Sequence, residues 1–150
     1  MSNFKVVMMG LGYIGLPTAA VIASRNINVL GVDVNEEVIK TINDGRIHII
    51  EPALEGLVKH VVEKGLLKAS TTTENADVFL IAVPTPFKEN YIPDLKYVEL
   101  AAKMIIPKLK EGDLFIIEST SPVGTTEKIA DLIFINRPEL RNKIHIAYCP

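Results

Sequence analysis

The chain holds a single cysteine, Cys149, so no internal disulfide can form, and this usage fits a reducing compartment. No apolar run reaches the ~20 residues that a membrane-spanning helix requires. The opening Met1-Ser-Asn-Phe-Lys5 leads into an apolar run without a basic region or a small-residue cleavage site, so no secretory leader is read there. Net charge is −2, which provides neither a basic face for nucleic acid nor a polybasic patch for a membrane. His48, His60 and His145 share no metal-ligand spacing with each other or with Cys149, and are expected as surface or strand residues. Cys149 ends an apolar strand and is expected to be a buried, small apolar group. No Ser/His/Asp or Cys/His nucleophile arrangement is visible. Repeats, low-complexity tracts and domain linkers are also missing. The expectation is a soluble cytoplasmic domain with no metal site and no catalytic residue of its own.

What is present is an ordinary globular composition, 48% apolar and 23% charged, in 150 residues. That length suits one domain. Continuously apolar runs at 5–10, 28–33, 77–83, 113–120 and 143–149 read as buried parallel strands, and 67–71 as a shorter one. Runs with helical spacing fall between them, at about 13–25, 35–42, 53–64, 94–109 and 125–135. Asp94 is placed to cap the fourth, and Gly65 to close the third. Strands and helices alternate with short connections. The predicted fold is α/β, a Rossmann-type doubly wound parallel sheet of about six strands with helices on both faces.

The first strand runs directly into Gly10-Leu-Gly-Tyr-Ile-Gly15 and then into a helix, the strand–turn–helix context of a G-x-G-x-x-G dinucleotide fingerprint. Gly10 suits the tight turn, Gly12 the close approach of a pyrophosphate, and Gly15 the packing of helix on strand. The helix N-terminus offers unpaired N–H groups and partial positive charge to phosphates. Tyr13 and Ile14 sit there; their backbone N–H groups would face the pyrophosphate, and their side chains could also serve packing. Asp33 ends the second strand, 18 residues after Gly15. A carboxylate there accepts both ribose hydroxyls and repels a 2′-phosphate, which favours NAD over NADP. Alternatively, Asp33 caps the next helix.

Two further segments lie at the same end of the sheet, where open parallel sheets bind ligands. Val83-Pro-Thr-Pro86 leaves Thr85 with a hydroxyl able to reach a cofactor, or is simply a stiff turn. Glu118-Ser-Thr-Ser-Pro-Val-Gly-Thr-Thr126 is rich in hydroxyls, and Thr120, Thr125 and Thr126 could meet a cofactor or order a water. One of Thr125 and Thr126 is expected to be an N-cap.

With Gly10-Leu-Gly-Tyr-Ile-Gly-Leu-Pro17, Asp33, Glu51-Pro52, Val83-Pro-Thr-Pro86 and Ser119-Thr-Ser-Pro-Val-Gly-Thr-Thr126 in this order, the chain resembles the N-terminal domain of the UDP-glucose/GDP-mannose dehydrogenase family over its whole length. Local wording at 81–88, 118–124 and 147–150 is most similar to the branch acting on UDP-N-acetyl-D-mannosamine, with the UDP-glucose branch as the alternative. The resemblance implies NAD as cofactor, a UDP-sugar substrate, and a two-step oxidation of a C6 alcohol to a carboxylate that reduces two NAD. It implies cofactor contacts at Tyr13, Ile14, Asp33, Thr85 and Thr126, beside the glycines Gly10, Gly12 and Gly15, and a place near the catalytic water for Thr120. In the family, a substrate-contacting Glu-Arg segment, a catalytic lysine and a catalytic cysteine follow the point where this sequence stops. The expectation is therefore residues 1–150 as the NAD-binding part of a longer, homo-oligomeric enzyme, inactive and monomeric by itself. A free-standing, non-catalytic NAD-binding module is the reading from another class.

Overall fold

A computed structural model describes residues 4–150. Six strands, β1 (Lys5–Met9), β2 (Asn28–Val32), β3 (Leu67–Ser70), β4 (Val78–Ile81), β5 (Leu114–Ile117) and β6 (His145–Tyr148), form one sheet in the order β3-β2-β1-β4-β5-β6. Every pairing is parallel. The strand order reverses between β1 and β4, the switch point at which such sheets open a crevice above their carboxyl ends. The predicted fold class is the observed one.

Helices α1 (Gly15–Ser24), α2 (Glu36–Asn43), α3 (Leu54–Glu63), α4 (Lys96–Ile105) and α5 (Thr125–Asn136) cover the sheet. Alternate residues of each strand serve two cores. Val6, Met8, Val29 and Leu80 pack with Leu16, Ala19, Ala20 and Ala23 of α1 and with Val58 and Val61 of α3. Val7, Met9, Phe79, Ile81, Phe115 and Ile117 pack on the other face with α4 and α5, through Val98, Ala102, Ile105, Ile129 and Ile133. Because β1, β2 and β4 are buried along most of their length on both faces, they read as largely apolar runs. Small residues on α1 let that helix lie close to the sheet, which brings its N-terminus over the crevice.

The element ends differ from expectation for local reasons. α4 stops at Ile105 and passes into a 3-10 turn, Ile106–Lys108, because Pro107 cannot continue an α-helix. Asp94 accepts from Lys96 N–H at 3.0 Å, although Leu95 occupies the cap position itself. Gly65, with φ of +70°, follows the last residue of the α3 cap as expected. Cys149 is exposed, contrary to the expected burial. It follows β6, the edge strand, whose ends face solvent.

Candidate functional site

The glycine turn is built by close approach. Gly10 has φ of +92°, and a Cβ there would lie 2.5 Å from the Ala82 carbonyl oxygen, so the turn is wedged against the end of β4. A Cβ on Gly15 would lie 1.9 Å from the Gly10 carbonyl oxygen, so what needs this glycine is the turn itself, with Ala82 Cβ next at 3.4 Å. Gly12 is different: a Cβ there would meet nothing within 4 Å. The space above Gly12 is open, as a close backbone approach by a ligand requires. Among the described residues no acceptor meets the backbone N–H of Gly12, Tyr13 or Ile14. These three donors surround the α1 N-terminus, where an anion is favoured. Tyr13 and Ile14 are 63% and 59% exposed, so packing does not account for their side chains.

Asp33 is tied to the same turn. Its Oδ2 accepts from Leu11 N–H at 3.0 Å and its Oδ1 from Asn35 N–H at 3.0 Å. The α2 cap is instead Asn35, whose Oδ1 accepts from Glu37 and Val38 N–H. The carboxylate thus spans the glycine turn and the head of α2, and a carboxylate has lone pairs beyond these two bonds. Beneath it, Leu11 is fully buried against Gly31 of β2, where a Cβ would meet Leu11 Cδ2 at 2.6 Å. Gly31 was not singled out by the sequence; a glycine inside a strand is the signal for such an approach.

The ends of β4 and β5 are locked together. The Ile81 carbonyl accepts from Glu118 N–H, Ser119 N–H and Ser119 Oγ, and Ser119 Oγ also donates to the Val83 carbonyl at 2.8 Å. Thr85 Oγ1 donates to the Thr120 carbonyl at 2.8 Å. Thr85 therefore spends its proton on the neighbouring loop and keeps acceptor capacity. Thr126 lines a cavity of about 350 Å³ with Ser121, Pro122, Val123, Gly124, Glu127 and Tyr148. The structure thus joins Gly10 to Gly15 with Asp33 through Leu11, and ties Thr85 to Thr120 across the ends of β4 and β5, while Thr126 lines a separate cavity.

The model of the NAD binding domain of the UDP-glucose/GDP-mannose dehydrogenase family matches residues 4–150. The chain belongs to this family. It is 54% identical to UDP-N-acetyl-D-mannosamine dehydrogenase of Escherichia coli strain K12, over 100% of this chain and 38% of that protein. It is 53% identical to NDP-N-acetyl-D-galactosaminuronic acid dehydrogenase of Ralstonia nicotianae, over 99% of this chain and 37% of that protein. Among solved structures, the UDP-N-acetyl-mannosamine dehydrogenase of Staphylococcus aureus superposes with a TM-score of 0.92 at 39% identity, covering 97% of this chain and 36% of that one. The chain thus spans well under half the length of these relatives.

The family's cofactor is NAD, and the residues present fit a dinucleotide: an open space over Gly12, three free N–H groups and a fixed carboxylate at the end of β2. Two buried polar groups stand out, one just after β5 and one at the start of α5. Glu118 turns toward α1, where Thr18 Oγ1 donates to its Oε1 at 3.2 Å, and its Oε2 is buried without a partner. Burial pushes the Glu118 carboxyl above the usual carboxylate range, against the pull of the Thr18 hydrogen bond. Thr125 is 3% exposed and its Oγ1 also lacks a partner among the described residues. The expected threonine N-cap is not made. Gly124, with φ of +89°, holds that position, and no side chain caps α5. A left-handed residue was needed to turn the loop into the helix, and glycine supplies it without strain. Among the described residues no His, Cys, Asp and Glu group could hold a metal, and no helix is long and apolar enough to cross a membrane.

Proposed function

We propose that this chain is the cofactor-binding portion of an NAD-dependent UDP-N-acetyl-D-mannosamine 6-dehydrogenase, which oxidises a sugar C6 alcohol to a carboxylate. The observation that carries the cofactor part is the Asp33 carboxylate held at the glycine turn by Leu11 N–H. In this reading the pyrophosphate lies over Gly12 and takes the N–H groups of Gly12, Tyr13 and Ile14. Gly10 and Gly15 give the turn its shape. The adenosine ribose hydroxyls donate to Asp33. The other nucleoside lies above β4 and β5, within reach of Thr85 and Thr126. Bound NAD supplies the hydride acceptor; the residues of this chain bind and orient it.

The N-acetylhexosamine substrate is supported by the names of the relatives, which share an N-acetylated sugar nucleotide and differ in the sugar. UDP-glucose is the alternative substrate. In this reading the residues that bind the UDP-sugar and perform catalysis, and the contacts of a homo-oligomer, lie outside the matched segment, which covers 38% of the Escherichia coli relative. Calorimetric titration tests the reading. The 150-residue chain should bind NAD more tightly than NADP, and Asp33→Ala should weaken NAD more than NADP. Mixed with NAD and UDP-N-acetyl-D-mannosamine, it should make no NADH. Absence of NAD binding defeats the cofactor assignment, and enzyme-like NADH formation defeats the placement of the catalytic residues elsewhere.

A further inference from the structure

Asp33 at the end of β2 and the glycine turn after β1 place two parts of a dinucleotide along the sheet, in the spatial order β2, β1, β4, β5. Continued in that direction, the nicotinamide half lies above the ends of β4 and β5. Glu118 stands at that end, immediately after β5. No salt bridge reaches it among the described residues. One oxygen has Thr18 as its donor and the other, buried, has none. A buried acceptor without a donor is uncommon in folded proteins and costs stability, so its presence calls for a reason.

We propose that Glu118 is a specificity-determining residue that makes the site prefer the oxidised cofactor, its carboxylate favouring the positively charged nicotinium ring over the neutral dihydronicotinamide. This rests on the NAD reading above. NAD and NADH share the adenosine, both riboses and the pyrophosphate, so the glycine turn and Asp33 treat them alike. They differ in the ring's charge, and a partly buried carboxylate without a salt bridge, at the same end of the sheet, responds to that difference. The cationic ring in turn offsets the cost of leaving Glu118 Oε2 buried without a donor. Thr18 acts through Glu118: its hydrogen bond favours the charged form of the carboxyl and aims it from α1.

The test is calorimetric titration of the 150-residue chain with NAD, NADH and ADP-ribose, which lacks the ring. The unaltered chain should bind NAD more tightly than NADH by about tenfold, equivalent to about 1.4 kcal/mol. Glu118→Gln should shrink that gap to less than about twofold while ADP-ribose affinity stays within about twofold of the original. Thr18→Val, which keeps the carboxyl and removes its donor, should narrow the gap in the same direction. It provides the reading if far-UV circular dichroism shows Glu118→Gln to be misfolded. An unchanged NAD/NADH ratio in the variants, or an equal loss of both, overturns the role of Glu118 and leaves the NAD site standing. Failure of all three ligands to bind the unaltered chain overturns the dinucleotide reading and this proposal with it.

Discussion

Asn43 pairs with Ala69 as a neighbouring strand would: its Nδ2 donates to the Ala69 carbonyl at 2.9 Å and its Oδ1 accepts from the Ala69 N–H at 2.8 Å. Ala69 lies on β3, the edge of the sheet next to β2, where free backbone groups invite pairing with another chain. The last residue of α2 thus closes part of that edge with a side-chain amide. Asn43→Ala should lower stability by about 1–2 kcal/mol in urea denaturation, since it leaves both partly buried backbone groups without their partner. Asn43→Leu should do the same and raise self-association, read by light scattering.

Gly12 and Gly15 should respond to the same change in opposite ways. Gly12→Ala places a methyl group in open space, so the fold should keep its unfolding midpoint while NAD affinity falls by at least about tenfold. Gly15→Ala drives a methyl group into the Gly10 carbonyl oxygen. That backbone cannot yield cheaply, and a loss of about 3 kcal/mol in stability is expected. Thermal unfolding and calorimetry on both variants separate the two effects.

Beneath the sheet, Lys110 joins the loops before β4 and β5. Its Nζ donates to the Ala76 carbonyl at 2.9 Å, to Asp77 at 3.2 Å and to Asp113, whose side chain is fully buried. Lys110→Met leaves the Asp113 carboxylate without its cation, and a buried pair broken on one side loses several kcal/mol. The Lys110 side chain is half exposed, so solvent recovers part of this and about 2 kcal/mol is expected. Lys143→Met, which removes an exposed pair with Glu111, should cost less than about 0.5 kcal/mol in the same assay.

Two carboxyls should give opposite pH dependence. The Lys5 backbone N–H, with Lys110 behind it, holds Asp77 below the ordinary aspartate range. Its contribution is present above the unfolded-state value and lost as pH falls through the folded-state value. Glu118 is raised by burial, so its contribution is present at acid pH and lost as pH rises through its elevated value. Asp77→Asn should therefore cost stability at neutral pH and little in strong acid. Glu118→Gln should stabilise the chain at neutral pH, with the difference fading below the glutamate range. Unfolding midpoints measured across that range check both signs.

The elements were legible because each buried strand is an unbroken apolar run and each helix follows a turn signal. The geometry of the glycine turn was legible because its close backbone approaches follow a short, fixed spacing, and the place of Asp33 because it directly follows β2. Glu118 and Thr18 were not, since the bond between them joins residues 100 positions apart and no local pattern announces it. The same holds for Asn43 with Ala69 and for Lys110 with Asp77. Cys149 was misjudged because an apolar run does not distinguish an edge strand from a central one. Gly124 was overlooked in favour of its threonine neighbours, whose capping tendency yields here to the need for a left-handed backbone.

The bond from Leu11 N–H to Asp33 has a consequence for redesign. Two backbone hydrogen bonds hold the carboxylate in place, so on the NAD reading proposed above a ribose diol would meet a geometry already set, with little ordering cost left at binding. The same bond makes Asp33 a structural member of the glycine turn. Replacing it to admit a 2′-phosphate would release the Leu11 N–H and the head of α2 together. On the NAD reading proposed above, cofactor preference and the integrity of the turn would be a single trait, and a variant built to accept NADP would have to supply Leu11 with a new acceptor.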